Sequence, residues 1–346
     1  MRTRSFGAAT IYILENQNGM AVEVSDFGAT LCSLIVPDKD QNPCDIVLGF
    51  DSPRGYYEPK ITNMGATVGR NGNRIGNARF TLNGKEYLLD KNNGENNLHS
   101  GFSRYNVRMW NVKERKENSI TFSLHSPDGD QGFPGALDIE VTYSLSRDNE
   151  LRIDYLGVPD EDTIINMTNH SYFNLNGHAS GTVLDQKVWL DADFFTPTND
   201  KLIPTGEIAT VDGTPMDFRV KKAIGRDIEA EYEPLIMGGG GYDHNWCLNN
   251  KGKFAKVAEM SSDLTGITME VYTDRPGMQV YSGNYLNGEV GKNGVVYRKF
   301  QGICFETQCY PDAINHENFP SPICKKGEEY RTTTVYKFMQ SIKGEV

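Results

Sequence analysis

The chain has 346 residues, 38% hydrophobic and 23% charged, enough apolar material for a sizeable core and unlike the composition of disordered chains. Its formal net charge of -11 opposes binding to phosphate backbones and anionic lipid, so nucleic acid and membrane are not expected partners and a small molecule is. Six cysteines, Cys32, Cys44, Cys247, Cys304, Cys309 and Cys324, are irregularly spaced without a C-x-x-C pair; they read as free thiols of a reducing, cytoplasmic compartment.

In chain order, the first apolar stretch, FGAATIYIL, is short and runs into the turn-like ENQNG, so it predicts an opening strand rather than a leader. DKDQNP at Asp38 starts like a calcium loop but carries Pro43 where the loop glycine belongs and Gly49 where the glutamate belongs, which predicts an ordinary turn. SITFSLHS alternates with period two, as do Leu137, Ile139, Val141, Tyr143 and Leu145, and ELRIDYLGV follows across SRDNE as a hairpin partner. GITMEVYTD and TTVYKFMQS repeat the pattern, while clusters such as KNNGENN and LNNKGK supply turns. The one stretch with amphipathic helical spacing, KKAIGRDIEAEYEPLIM, is interrupted by a glycine. The four glycines at 238 to 241 form either a mobile loop or a tight turn. Strands along the full length without alternating helices predict an all-β fold, a large antiparallel β-sandwich with little helix, as one domain over residues 1–346.

Five segments concentrate polar residues that strand formation does not require: GRNGNRI, NNLHSG, TNHSYFNLNG, GYDHNW and CFETQCYPDAINHENFPS. They supply Asn73, Arg74, His99, His170, Asp243 and Glu306, donors and acceptors of the kind that engage hydroxyl groups. Each alone has a structural explanation: a hydrogen-bonded core histidine, a turn-capping Asp243, an ion-paired Arg74. The six histidines show neither H-x-x-x-H nor H-E-x-x-H spacing, so no metal site is expected. Period two places Cys304, Glu306 and Gln308 on one face of their strand, with small Cys304 expected to leave room for a ligand. It likewise sets Gln279 and Tyr281 opposite Met278 and Val280.

These segments, in this order, resemble the aldose 1-epimerase family, also called galactose mutarotases, over nearly the whole chain. NRIGNARFTLNGKEYLL leading into NNLHSG, then TNHSYFNLNGH, DHNW, RPGMQVYSGNYL and FETQCYPDAINHENFPS carry the resemblance. It implies a galactose mutarotase-like supersandwich with an open sugar cleft. His170 becomes the general acid and Glu306 the general base. Asn73, Arg74, His99, Asp243 and Gln279 become hydroxyl-binding residues, and Tyr172 lines the same cleft. The substrate implied is a free aldose such as galactose or glucose, acted on without metal or organic cofactor by a monomer or homodimer. A pyranose changes anomer when one group takes the proton of the anomeric hydroxyl and another protonates the ring oxygen, so the pair suits the reaction. That assignment predicts a bell-shaped pH profile, with Glu306 protonation as its acidic limb and His170 deprotonation as its basic limb.

Two departures from the family pattern, Ser100 before Gly101 and Cys309 where many members have histidine, bear on turn geometry and substrate preference. The alternatives are a non-catalytic carbohydrate-binding protein, a glycosidase using Asp243 with Glu306, and a mutarotase for another sugar or a sugar phosphate. The last would draw on Arg74 and Arg275.

Overall fold

The computed structural model describes residues 1–58, 60 and 62–340. Alternation of apolar and polar residues produces strands where expected. Leu137–Leu145 and Glu150–Pro159 pair antiparallel, Leu145 opposite Leu151, around the SRDNE turn. The inward members Leu137, Ile139, Val141 and Tyr143 are fully buried, whereas Asp138 is exposed. These strands belong to a nine-stranded sheet that also contains Ser119–Ser126, Ile267–Thr273 and Tyr330–Gln340. The architecture is all-β with several antiparallel sheets.

Two five-stranded sheets complete the main layers. One is the N-terminal meander from Arg2–Phe6 to Pro43–Asp45, so the opening residues are strand, paired with Ala9–Glu15. The other runs in the order Ala209–Thr210, Phe194–Thr196, Asp243–Cys247, Gly277–Tyr281, Cys304–Gln308. A continuous apolar core joins the three sheets, with Val22 and Leu34 from the meander, Ile139 and Val271 from the large sheet, and Trp246, Met278, Val280 and Phe305 from the third. Burying an aliphatic or aromatic side chain contributes about 1.5–3 kcal/mol, so this shared core holds the third sheet in place.

Among the described residues the α-helix is a five-residue segment, Glu233–Met237. The longer amphipathic stretch before it breaks into strand Lys222–Ala223 and the 3-10 turn Ile224–Arg226. At the break, a Cβ on Gly225 would come within 2.9 Å of the Leu184 carbonyl oxygen, so the chain passes there by close backbone approach. The four glycines form a tight turn: Gly240 and Gly241 donate to the Leu235 carbonyl, and a Cβ on Gly241 would meet Asn284 Oδ1 at 2.3 Å. The Asp38 segment is a turn in which Asp38 Oδ1 accepts from the backbone of Asp40 and Asn42, each at 2.8 Å.

Candidate active site

Register in the third sheet builds one wall of a cleft. Asn245 and Glu306 both lie opposite Gln279 on its two sides, and Asp243 lies opposite Tyr281. Because side chains alternate, Asp243, Gln279 and Glu306 emerge on one face. Trp246, Met278, Val280 and Phe305 anchor the other face in the core. Gln279 Nε2 donates to Asp243 Oδ1 at 2.7 Å, which orients the amide. Gln279 Oε1 and Glu306 Oε2 are buried without a hydrogen-bond partner, the state of acceptors that a bound hydroxyl would satisfy.

His170 ends the short strand Thr168–His170, paired with Ala66–Val68. Its ring stacks on Tyr172 at 5.1 Å and meets Tyr281 and His99 edge-on. Nε2 lies 3.5 Å from Glu306 Oε1, and Nδ1 lies 3.4 Å from Cys304 Sγ. Cys304 is fully buried and does not line the cleft. Its small side chain makes room for the imidazole of His170, not for a ligand, which corrects the expectation drawn from strand alternation.

The NNLHSG segment pairs Asn97–Leu98 with Arg74–Ile75 and brings His99 to the same place. His99 and Asn73 both adopt left-handed backbone, at φ 52° and 61°, conformations that persist where the surroundings over-determine them. Here Asn73 and His99 exchange bonds: the Asn73 N–H donates to His99 Nδ1 at 3.1 Å, and the His99 N–H to the Asn73 carbonyl at 3.0 Å. Ser100, one of the departures from the family pattern, braces the loop by accepting from the Asn71 N–H and donating to the Asn71 carbonyl. Since Nδ1 of His99 accepts, its Nε2 carries the proton.

That tautomer bears on metal binding. Ligating atoms of His99, His170 and Glu306 lie within 4.8 Å of one another, a spacing open to a cation. Both nitrogens of His99 are engaged, however, one by the Asn73 N–H and one by its own proton, so the ring presents a donor rather than a lone pair. The trio suits a hydroxyl oxygen better than a metal ion.

Burial dominates the electrostatics. It raises Glu306 well above the ordinary carboxylate range; the Asp243 charge adds to the rise and Arg74 opposes it. Asp243 is raised by the same burial, against Arg74 and the Gln279 hydrogen bond. His170 is lowered to about 4 by burial, with Arg104 adding repulsion, and His99 is held well below the usual histidine value. Asn93 Oδ1 accepts from Arg74 Nε at 3.0 Å.

The cleft has a volume of about 160 Å³, below the roughly 300–1,000 Å³ of sites that take drug-sized ligands. Asn73, Arg74, His99, His170, Tyr172, Asp243, Gln279 and Glu306 all line it, joined by Asn63, Leu98, Tyr281 and Tyr285. Tyr281 was legible as the residue sharing a face with Gln279, and Leu98 as the neighbour of His99. Asn63 lies outside regular strands and outside every segment singled out in the sequence, whereas Tyr285 falls within RPGMQVYSGNYL but beyond its strand, where alternation gives no placement. Arg275 is not in the cleft; its guanidinium lies over the Tyr330 ring.

The scaffold and cleft define a class of protein: an antiparallel β protein with a buried histidine and carboxylate side by side in a cleft lined by hydrogen-bonding side chains. The family model described as aldose 1-epimerase matches residues 10–337. The chain is 41% identical to the galactose mutarotase of Bos taurus over 334 residues, covering 96% of this chain and 95% of that one. It is 41% identical to the aldose 1-epimerase of Haemophilus influenzae over 329 residues, 94% of each. The solved structure of a GalM/aldose epimerase homologue from C. elegans superposes with a TM-score of 0.87 at 31% identity, covering 96% of this chain and 99% of that one. The chain belongs to the aldose 1-epimerase family, and it is an isomerase of the mutarotase type.

Proposed function

We propose that the cleft interconverts the α and β anomers of a free aldose such as galactose or glucose, with His170 as acid and Glu306 as base. The observation that carries this reading is the His170 Nε2 to Glu306 Oε1 approach of 3.5 Å, both groups buried at one cleft. Glu306 takes the proton of the anomeric hydroxyl while His170 protonates the ring oxygen. The ring opens, the aldehyde turns about its bond to the next carbon, and reclosure from the other face reverses both transfers. Asn73, Arg74, His99, Asp243 and Gln279 hold the remaining hydroxyls, and Tyr172 packs against the sugar. No step calls for a cofactor.

A neutral sugar fits better than a sugar phosphate. Arg74 is the cationic side chain lining the cleft, and its charge already acts on Asp243 and Glu306. The reading treats the chain as one domain working in the cytoplasm, which six free cysteines suit. No described helix is long and apolar enough to cross a membrane.

The test is polarimetry of freshly dissolved α-galactose and α-glucose with the wild type, His170→Asn and Glu306→Gln. The expected result is accelerated mutarotation by the wild type and a loss of about 10²–10⁴-fold in each variant, the usual worth of a positioned acid or base. Variants as active as the wild type would refute the assignment. A wild type that binds sugar without accelerating mutarotation would support a binding protein instead.

A further inference from the structure

One part of the cleft wall comes from outside every motif. Asn63 lines the cleft from an irregular segment, with left-handed backbone at φ 60°. The segment is tied to its surroundings at three points. The Tyr172 hydroxyl donates to the Thr62 carbonyl at 3.4 Å, the Gly65 N–H to the His170 carbonyl at 3.1 Å, and the Ala66 N–H to the Asn63 carbonyl at 3.0 Å. Asn63 is thereby held beside the strand that carries His170.

Its side chain is oriented by Arg104. Arg104 Nη1 donates to Asn63 Oδ1 at 2.9 Å, and Arg104 Nε donates to the Gly101 carbonyl at 2.8 Å. A guanidinium offers donors only, so the amide oxygen must face Arg104 and the Nδ2 hydrogens must face away from it. Arg104 is 9% exposed and takes part in no ion pair among the described residues, so a carboxylate at position 63 would be drawn to it. The cleft strands contribute acceptors in Asp243 and Glu306, and a hydroxyl-rich ligand needs donors as well.

We propose that Asn63, oriented by Arg104, is a substrate-binding and specificity-determining residue whose Nδ2 donates to one hydroxyl oxygen of the aldose. Arg104 is a positioning residue that does not itself touch the sugar. The inference rests on the acid–base reading of the cleft and adds to it a discriminating contact.

The experiment compares the wild type with Asn63→Asp and Asn63→Ala on the preferred aldose and on its 2-, 3-, 4- and 6-deoxy analogues, by polarimetry or coupled assay. Asn63→Asp keeps the shape but replaces the donor with a carboxylate that pairs with Arg104. Both variants are expected to raise KM by about 3–10-fold with little change in kcat, the worth of one hydrogen bond between neutral partners. The penalty should vanish with the single deoxy sugar that lacks the contacted hydroxyl. A wild-type KM in both variants, or a penalty of equal size on every analogue, would overturn the proposal. Failure is separable from failure of the acid–base reading. If His170→Asn and Glu306→Gln are inactive while the Asn63 variants discriminate like the wild type, this inference alone falls.

Discussion

Acid should unfold this protein through its buried histidines, and His170 gives the effect a size. Its pKa falls from the ordinary histidine value of 6.5 to about 4 when the chain folds, chiefly by burial. Between those values the unfolded chain binds more protons than the folded one, so stability rises with pH across this window. The contribution is complete above the unfolded value and is lost as pH falls through the folded one. A single site with these constants costs about 2 kcal/mol at about pH 5 and about 3 kcal/mol at about pH 4, relative to neutral pH. Glu306 has the opposite sign, since its raised pKa removes stability as pH rises above the unfolded carboxylate value. Glu306 is present in both proteins, so comparing His170→Asn with the wild type reports the histidine together with its coupling to that carboxyl 3.5 Å away. The assay is urea unfolding followed by tryptophan fluorescence from about pH 8 to about pH 4. The variant should gain about 3 kcal/mol relative to the wild type over that range. Two stability curves that stay parallel would refute the argument that burial keeps His170 neutral.

Two further substitutions test the supports of the pair. Cys304→Ala removes the sulfur 3.4 Å from His170 Nδ1. It should lower kcat about 2–10-fold with KM unchanged, and Cys304→Ser, which keeps a donor and acceptor, should recover most of the loss; steady-state kinetics checks both. Arg74→Ala removes the cation that opposes the rise of Glu306 and Asp243. Its KM should rise roughly 10–100-fold, as expected for a charged hydrogen-bonding group, and the pH limb that belongs to Glu306 should move to higher pH.

The strands were legible because alternation is local. Ser119–Ser126 appears over the whole of SITFSLHS, and the Leu137–Leu145 hairpin follows from its own sequence. The pairing of Asp243–Cys247, Gly277–Tyr281 and Cys304–Gln308 is not local, since the loops between them hide the register. Alternation alone could therefore place Gln279 and Tyr281 on one face without saying that Glu306 lies beside Gln279. Resemblance named His170 and Glu306, and geometry added that Nδ1 of His170 rests on Cys304. Asn63 escaped because its position depends on a left-handed loop and on an arginine 41 residues away. The stretch with amphipathic spacing is helical only at its end, Glu233–Met237, because close packing on Leu184 turns the chain at the interrupting Gly225.

The protonation of the pair departs from the simplest acid–base expectation, in which His170 waits as imidazolium and Glu306 as carboxylate. Burial favours the uncharged form of each, imidazole and carboxylic acid. The two descriptions contain the same number of protons and differ by one transfer across 3.5 Å. Ring opening from the charged form ends with neutral His170 and protonated Glu306, which is the form burial favours and the one that starts reclosure. The site is thus biased toward the open-chain half of the cycle, and its two apparent pKa values belong to the pair. The bell-shaped profile survives, but its limbs exchange owners. The acidic limb of kcat/KM reports protonation of His170 and the basic limb deprotonation of Glu306. Residual activity of Glu306→Gln, followed across pH, should therefore keep its acidic limb and lose its basic one. Loss of the acidic limb instead would show that the charged form prevails and that the sugar-free cleft is better solvated than its burial implies.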